Sequence, residues 1–347
     1  MEGKMKAAVM TAVKEIKIEE RQIPIPKDNE ILMKVKHVGV CGSDLHIYEH
    51  GKIGTMEMKE PLVLGHESAG EVIEIGKDVK NVKIGDLVAL EPQITCGKCE
   101  FCKSGRYNLC PDVEFMAVPG VDGAFAEYVV YPSDMAFKLP TGMTTLEGAL
   151  MEPLSVGLHA VHQSGAKIGQ TAVILGSGCI GLVTLMTLKA IGVSDVYVVD
   201  LIPKRLEKAK ELGATEILQA NKVDVIKRVM ELTKGQGADL VFETAGSKYT
   251  TQQTIELVKR GGTITLIGMP AEDIIPMNMN GLIWKEAKIN TVFRYRNLYP
   301  VAIKAVASGL IPLKNIASDV FKFGEIKKGL DYNLNNKNDV IKAVIEF

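Results

Sequence analysis

The chain has 347 residues, with 41 basic and 42 acidic side chains, and a formal net charge of -1 at pH 7. This balance gives no electrostatic reason to expect a nucleic acid or a membrane surface as a partner. The start of the chain, MEGKMKAAVMTAV, lacks the apolar run of a signal peptide. The most apolar stretch, Ile180 to Val193, contains Lys189 and is too short to span a bilayer. We therefore expect a cytoplasmic protein of two domains.

The first third of the chain predicts β structure. Glu30 to Val40 alternates between apolar and polar residues over much of its length. KAAVMT, GEVIEIG and DLVALEP are similar short runs, bounded by glycines, prolines and charges. Few helical patterns precede Thr144.

From about Gly157 the pattern alternates between apolar strands and helices. The predicted strands are TAVIL (171–175), DVYVVD (195–200), EIL, DLVFET and TITLIG, and the predicted helices cover 179–191, 203–212, 224–233 and 250–259. Strands buried on both faces and separated by helices predict a doubly wound parallel sheet. A strand INTVFRY (289–295), a helix at 298–308 and a closing strand at 341–347 follow. We predict a β-rich domain at 1–155 and 290–347, and a dinucleotide-binding domain at 156–289.

Four of the six cysteines, Cys96, Cys99, Cys102 and Cys110, lie in the segment TCGKCEFCKSGRYNLC. Spacers of two residues let thiolates on a tight loop converge on one ion. Four sulfurs in a tetrahedron fill the coordination of zinc, so this spacing predicts a structural zinc site. The alternatives are free thiols or disulfides, and disulfides need an oxidising compartment.

A glycine-rich turn follows the predicted strand TAVIL and opens a helix. Gly176 allows the tight turn, Gly178 lets the backbone approach a pyrophosphate, and Gly181 lets helix and strand pack closely. The phosphates then lie at the positive end of the helix. This context predicts a dinucleotide site.

Asp200 ends the next predicted strand, where a carboxylate can bind both ribose hydroxyls and repel a 2′-phosphate. This favours NAD over NADP. Lys204 and Arg205 lie close enough to weaken the preference, and the alternative role for Asp200 is a helix N-cap before Pro203.

Three further segments contain the ligand types of a second, open zinc site. Cys41 lies in VGVCGSDLH, His66 and Glu67 in LGHESAGE, and Glu152 in GALMEPLSVG. A thiolate, an imidazole and carboxylates can hold zinc with one position free, where a bound alcohol loses its proton more easily. Taken alone, Cys41 would be a small buried residue and His66 a hydrogen-bonded core histidine.

The chain resembles the zinc-containing medium-chain alcohol dehydrogenases over nearly its whole length. The resemblance rests on CGSDLH, GHESAGEVIEIG, the four-cysteine segment and GSGCIG, which occur in the order of that family. It implies an α/β protein with a GroES-like catalytic domain and a Rossmann NAD-binding domain. It also implies NAD, one structural and one catalytic zinc ion per subunit, and a homotetramer.

The segment EPLSVG resembles the polyol branch of that family, in which a glutamate replaces the second catalytic cysteine. This resemblance implies Cys41, His66 and Glu67 as the nearest zinc ligands, with Glu152 binding zinc directly or through water. Sequence does not rank Glu67 against Glu152, since the glutamate of GHE lies beside the ligands in many relatives.

GRYNLCPDVEFMAVPGVDGAF and VFRYRNLYPVAIKAVASG are similar to sorbitol and xylitol dehydrogenases, which oxidise a polyol to the 2-ketose. The resemblance implies that Arg294 and Tyr295 hydrogen-bond substrate hydroxyls and that Phe115 forms an apolar wall. Several vicinal hydroxyls need several convergent polar groups. The alternative is a surface salt bridge for Arg294 and a packed ring for Tyr295.

The resemblance also implies the proton path and the remaining cofactor contacts. Ser43 takes the substrate proton, and His46 passes it to water, since imidazoles titrate close to neutral pH. His46 as a simple loop histidine is the alternative. The implied cofactor contacts are Gly176, Gly178, Ile180, Gly181, Asp200, Arg205, Ile267, Gly268, Met269, Val292, Phe293 and Arg294.

Sequence reasoning predicts an NAD- and zinc-dependent polyol 2-dehydrogenase, and three alternatives stay open. The nearest is a dehydrogenase of 2,3-butanediol or of another secondary alcohol, including the threonine type. A zinc-binding or lens-crystallin-like protein without turnover is the second. The third, a nucleic-acid zinc ribbon, is disfavoured because no basic excess surrounds the cysteines.

Overall fold

A computed structural model describes residues 3–347. The chain divides into two compact units. The first extends to Glu152 and includes Tyr299–Gly309 and Leu313–Phe347, and the second is Pro153–Leu298 with Leu310–Pro312. The domain limits drawn from sequence, 1–155 with 290–347 and 156–289, stay a prediction.

The chain up to residue 150 is mainly β structure with three helices. The strands are β1 (Lys4–Ala12), β2 (Glu15–Gln22), β3 (Glu30–Gly39), β4 (Lys52–Ile53), β5 (Met56–Glu57), β6 (Leu62–Val63), β7 (Glu67–Ile75), β8 (Leu87–Leu90), β9 (Gln93–Ile94), β10 (Glu114–Phe115), β11 (Tyr128–Pro132) and β12 (Ala136–Lys138). The helices are α1 (Gly42–His50), α2 (Glu100–Lys103) and α3 (Thr145–Ala149), with 3₁₀ turns at Tyr107–Leu109 and Ser133–Met135.

Strands and helices then alternate through the second unit. The strands are β13 (Thr171–Leu175), β14 (Asp195–Asp200), β15 (Glu216–Gln219), β16 (Ala238–Glu243), β17 (Val258–Leu266) and β18 (Lys288–Thr291). The helices, counted from the one that begins just before this unit, are α4 (Met151–Ser164), α5 (Cys179–Ala190), α6 (Pro203–Glu211), α7 (Val225–Leu232), α8 (Lys248–Leu257) and α9 (Met279–Lys285).

The C-terminal segment returns to the first unit. Its elements are α10 (Tyr299–Ala307), β19 (Asp319–Lys322), α11 (Ile326–Asn335) and β20 (Ala343–Glu346), with 3₁₀ turns at Leu313–Ile316 and Phe323–Glu325.

The main sheet of the first unit has the strand order β12-β8-β7-β3-β20-β19, and β11 also pairs with β3. Because β3 lies inside this sheet, Ile31, Leu32 and Met33 are all buried rather than alternating. Gly39 at the end of β3 pairs with Glu67 on β7 and with Val344 on β20. This register places the start of β7 and the last strand of the chain on either side of Gly39.

The second unit is built on a six-stranded sheet of order β15-β14-β13-β16-β17-β18, in which every pairing is parallel. The strand order reverses between β13 and β16, and ligands of such sheets bind at the carboxyl ends of the strands next to this point. The glycine turn follows β13 directly. The predicted fold class, an α/β protein with a doubly wound parallel sheet, is confirmed.

Two local expectations differ from the structure. Sequence reasoning did not predict helix α1, which follows Cys41. The buried face of this helix contains the charged residue Asp44 beside Ile47 and Tyr48, so the apolar pattern that predicts a helix is interrupted. The predicted strand INTVFRY ends at Thr291, where its pairing with β17 ends. Arg294 beyond it has a left-handed backbone, with φ of 56°.

Candidate active site and metal centres

The four cysteines of the TCGKCEFCKSGRYNLC segment come together as the spacing predicts. Their sulfur atoms all lie within 4.8 Å of one another. The backbone N–H of Cys99 donates to Sγ of Cys96, and that of Cys102 to Sγ of Cys99, each at 3.4 Å. Backbone donors from Lys98 and Cys99 lower the pKa of the Cys96 thiol to about 7. Four clustered sulfurs with N–H groups directed at them are the donor set of a structural zinc site.

The connection between β9 and β10 carries these cysteines, and it is fixed to the first unit by a buried carboxylate. Oε1 of Glu91 accepts hydrogen bonds from the Tyr107 hydroxyl at 2.7 Å and from Nε2 of Gln93 at 2.8 Å. Gln93 in turn pairs with Phe115 in the β9–β10 ladder. The Phe115 ring lies 5.3 Å from the His66 ring, centroid to centroid. The four-cysteine segment and the predicted substrate wall therefore belong to one connected structure.

Cys41, His66 and Glu67 form a second group, whose ligand atoms also lie within 4.8 Å of one another. Cys41 precedes α1, and His66 and Glu67 stand at the start of β7. His66 and Glu67 are buried, and Cys41 is half-buried. One sulfur, one imidazole and one carboxylate supply three donors, which leaves a fourth position for a water or a substrate. The residues therefore fit an open zinc site.

Asp44 orients this group, although sequence reasoning did not select it. Its fully buried carboxylate accepts the backbone N–H of Cys41 and of Gly65, each at 3.0 Å. Its Oδ1 lies 3.4 Å from Nδ1 of His66. Burial alone would raise the pKa of Asp44, but His66 and the two N–H donors outweigh it and lower the pKa. The signal in the sequence is the third helical position of CGSD, where a carboxylate reaches back to the N-cap.

Lys342 is the second residue that sequence reasoning missed. Its Nζ lies 2.5 Å from Oε1 of Glu67 and donates to the backbone oxygen of Val40 at 3.1 Å. Oε2 of Glu67 has no hydrogen-bond partner among residues 3–347. A Cβ on Gly39 would stand only 1.9 Å from that oxygen, so a side chain there would displace the Glu67 carboxylate. Glu67 thus has one oxygen in an ion pair and the other available to a cation.

Glu152, the other carboxylate predicted for this zinc, is buried in the first turn of α4. Among residues 3–347 it does not join the group of Cys41, His66 and Glu67 within 4.8 Å. Its role as a ligand, directly or through water, stays a prediction. The predicted relay residues Ser43 and His46 both lie on α1, and His46 is exposed with its ring 4.7 Å from that of His50.

The glycine turn of the second unit has the geometry that each glycine was expected to permit. Gly176 has a φ of 100°, a backbone conformation that favours glycine. A Cβ on Gly181 would stand 2.0 Å from the Gly176 oxygen, so helix α5 packs against the turn without space for a side chain. Gly178 caps α5, and Ile180 lies half-buried in its first turn.

Asp200 stands at the end of β14, and its carboxylate is held from three directions. Oδ2 accepts the backbone N–H of Ser177 at 2.6 Å and the Ser177 hydroxyl at 2.8 Å, while Oδ1 accepts the N–H of Ile202 at 3.0 Å. Arg205 lies nearby, with Nη1 3.7 Å from the position that a Cβ on Gly178 would take.

The remaining cofactor residues predicted from sequence follow the ends of β17 and β18. Ile267, Gly268, Met269 and Val292 line a cavity of about 360 Å³ together with Glu243. Phe293 and Arg294 are not in that lining, and the Arg294 guanidinium lies 4.7 Å from the centroid of the Phe293 ring. Tyr295 is fully buried. The contacts of Arg294 and Tyr295 with substrate stay predictions.

Two family models match the chain. Residues 27–141 match the alcohol dehydrogenase GroES-like domain, and residues 179–308 match the zinc-binding dehydrogenase domain. The chain belongs to the zinc-binding alcohol dehydrogenase family. The predicted family and enzyme class are therefore confirmed, and the cofactors of this zinc-binding dehydrogenase are NAD and zinc.

The dehydrogenase is similar to known proteins over nearly its whole length. It is 42% identical to sorbitol dehydrogenase of Bacillus subtilis over 98% of this chain and 97% of the relative. It is 38% identical to D-xylulose reductase A of Aspergillus niger over 93% of this chain and 92% of the relative. No helix in residues 3–347 is long and apolar enough to cross a membrane.

Solved structures of other dehydrogenases have the same fold as this chain. A crystal structure of an Escherichia coli oxidoreductase/dehydrogenase of unknown specificity has a TM-score of 0.96 and 42% identity, covering 99% of each chain. A putative zinc-binding dehydrogenase of Sinorhizobium meliloti, bound to NADP, has a TM-score of 0.91 and 30% identity, covering 99% of this chain and 100% of that one. Proteins of this fold thus include one that binds the phosphorylated dinucleotide.

Proposed function

We propose that this zinc-binding dehydrogenase oxidises sorbitol- or xylitol-type polyols to the 2-ketose, with hydride transfer to NAD. The observation that carries the proposal is the group of half-buried Cys41 with buried His66 and Glu67, which fits an open zinc site and contains no second thiolate among residues 3–347. The identity of 42% to a sorbitol dehydrogenase over nearly the full length supports the same substrate class. 2,3-Butanediol and threonine are the alternative substrates.

The proposed mechanism uses the zinc ligands and three residues of helix α1. Cys41, His66 and Glu67 would hold the zinc ion, which would supply Lewis acidity to the substrate hydroxyl. Ser43 accepts the hydroxyl proton, and His46, exposed on the same helix, releases it to water. Asp44 keeps the His66 ring in place.

The predicted substrate residues explain a preference for polyols. Arg294 and Tyr295 offer hydrogen bonds to the hydroxyls beyond the reacting carbon, Glu152 contacts the substrate or the zinc, and Phe115 closes an apolar side. A pocket built for several hydroxyls discriminates strongly against an alcohol that lacks them, because its buried polar groups are then left unpaired.

A substrate panel tests the proposal. The zinc-loaded enzyme and NAD are mixed with xylitol, sorbitol, ribitol, 2,3-butanediol or threonine, and formation of the reduced nicotinamide is followed. We expect turnover on polyols, and an Arg294→Met variant that loses polyol turnover more than butanediol turnover. Arg228→Met is the matched control, because it removes a surface guanidinium that pairs with Glu216 and Glu231. Activity on butanediol with none on polyols would overturn the substrate assignment.

We also propose a cytoplasmic homotetramer. Cysteines grouped as zinc ligands rather than joined in disulfides support a reducing compartment. Strand β18 ends the order of its sheet, and the exposed apolar side chains Ile283, Trp284 and Ile289 lie on it or on α9. An open strand edge beside exposed apolar groups supports burial against another copy. Light scattering coupled to gel filtration measures the assembly, and a monomer at micromolar concentration would refute it.

A further inference from the structure

Cofactor choice in the second unit depends on how the Asp200 carboxylate is oriented, and three hydrogen bonds fix that orientation. Two hydrogen bonds from Ser177, one from its backbone and one from its hydroxyl, meet on the same oxygen, Oδ2, at 2.6 and 2.8 Å. The N–H of Ile202 holds the other oxygen at 3.0 Å. We infer that Ser177 is a positioning residue that fixes Asp200 and thereby makes the enzyme selective for NAD over NADP.

Ser177 lies in the glycine-rich turn, where the surrounding structure limits its movement. Its side chain is fully buried, and it lies between Gly176, with its φ of 100°, and Gly178, the N-cap of α5. The N–H of Gly176 donates to the Val199 oxygen at 2.8 Å, which ties the turn to the end of β14. The hydroxyl donor therefore lies in the turn after β13, and its acceptor ends the adjacent parallel strand β14.

Hydrogen bonds to an ionised carboxylate are stronger than those between neutral groups. Three donors fix both oxygens of Asp200, and turning the carboxylate would break at least one of these bonds. A carboxylate held in this way stays at the end of β14, where it can accept from ribose hydroxyls and repels a 2′-phosphate.

Because of Arg205, the orientation of the Asp200 carboxylate decides between NAD and NADP. Its guanidinium lies beside the same turn, with Nη1 3.7 Å from the position that a Cβ on Gly178 would take. Guanidinium groups bind phosphates well, so a cation suited to a 2′-phosphate stands beside the turn that holds the Asp200 carboxylate. An Asp200 free to turn away would shift this balance towards NADP, the dinucleotide bound by the similar structure from Sinorhizobium meliloti.

The inference rests on the use of NAD and not on the identity of the alcohol. Failure of the polyol assignment would therefore leave it intact, and it is tested by binding rather than by turnover. Dissociation constants of oxidised NAD and NADP are measured by titration calorimetry on the full-length, zinc-loaded protein.

The decisive variant is Ser177→Ala, which removes the hydroxyl and keeps both backbone donors. We expect the ratio of the NADP to the NAD dissociation constant to fall about tenfold, the order expected for the loss of one hydrogen bond to a charged group. Ser177→Thr, which keeps the hydroxyl, is expected to retain the ratio. Asp200→Ala measures the largest change in this ratio that loss of the carboxylate can cause.

Thr187→Val is the matched control. It also removes one buried hydroxyl of this segment, which donates to the Val183 oxygen at 2.8 Å within α5, and we expect an unchanged ratio. Equal weakening of both dinucleotides by Ser177→Ala would mean a merely structural role and would overturn the inference. An unchanged ratio in Ser177→Ala or in Asp200→Ala would overturn it as well.

Discussion

Lys342 and Glu67 form a buried ion pair between residues that are 275 positions apart, with Nζ 2.5 Å from Oε1. Glu67 begins β7 and Lys342 directly precedes β20, and β3 lies between these two strands and pairs with both through Gly39. The pair neutralises one oxygen of the carboxylate that we assign to the open zinc site, and it holds the other oxygen in place. The residue that precedes the C-terminal strand is therefore part of the metal centre.

Removal of the Lys342 ammonium should strongly destabilise the protein. In Lys342→Met the Glu67 carboxylate stays buried without its cation, and breaking such a pair costs about 3–5 kcal/mol. Urea unfolding of the zinc-free protein measures this loss. Lys327→Met is the control, since its pair with Asp331 is at the surface, where ion pairs contribute about 0–1 kcal/mol. Equal stability losses in the two variants would contradict the role given to Lys342.

Asp44 should determine the zinc affinity of the open site. Asp44→Asn keeps the shape of the side chain but removes the charge 3.4 Å from Nδ1 of His66. Groups that support a ligating histidine typically change metal affinity by about 10–100-fold. Competition with a chelating dye should show this weakening for one zinc ion and no change for the ion bound by the four cysteines. Unchanged affinity at both sites would exclude a supporting role for Asp44.

The four-cysteine site should bind zinc independently of the open site. Cys99→Ser is expected to lose one bound zinc ion and to lower the midpoint of thermal unfolding, because metal binding stabilises the loop that carries it. Cys179→Ser is the matched control, since Cys179 belongs to neither group of residues 3–347 that could hold a metal. Metal analysis by mass spectrometry and calorimetry give both readouts. Full zinc content in Cys99→Ser would refute the assignment.

Tyr48 should make stability fall at alkaline pH. Burial, and then the hydrogen bond to Asp331, raise the pKa of Tyr48 from 10.0 to about 12. Because the pKa is higher in the folded state, the stabilisation is complete below pH 10 and is lost as the pH rises to about 12. The loss amounts to at most about 2–3 kcal/mol. Denaturant unfolding at several pH values measures it, and the same slope in Tyr48→Phe would disprove the link.

Local patterns in the sequence were sufficient to predict the alternating strands and helices of the second unit and the grouping of the four cysteines. A strand, a glycine turn and a helix follow one another within a few residues around Gly176, so their geometry does not depend on distant contacts. The four sulfurs are likewise brought together by short spacers. The fold class and the family followed from such segments.

The parts that sequence reasoning missed depend on distant pairing. Lys342 reaches Glu67 only because β20 joins the sheet beside β3, and nothing near either residue predicts that neighbour. Asp44 could have been identified from its position in the first turn of α1. Sequence reasoning did not predict this helix, because a charged residue on its buried face interrupts the apolar pattern. The role of Glu152 depends on a distance that no local pattern encodes, and it stays a prediction.

The most direct test of the account is zinc-dependent reduction of NAD by a polyol. Protein stripped of zinc by chelation, and then reloaded with zinc, is assayed with sorbitol and xylitol beside a Cys41→Ser variant. We expect no activity without zinc, recovery on reloading, and no recovery in Cys41→Ser. Polyol oxidation by the zinc-free protein, or by a Cys41→Ser variant as fast as by the native chain, would contradict the open zinc site on which the proposed function rests.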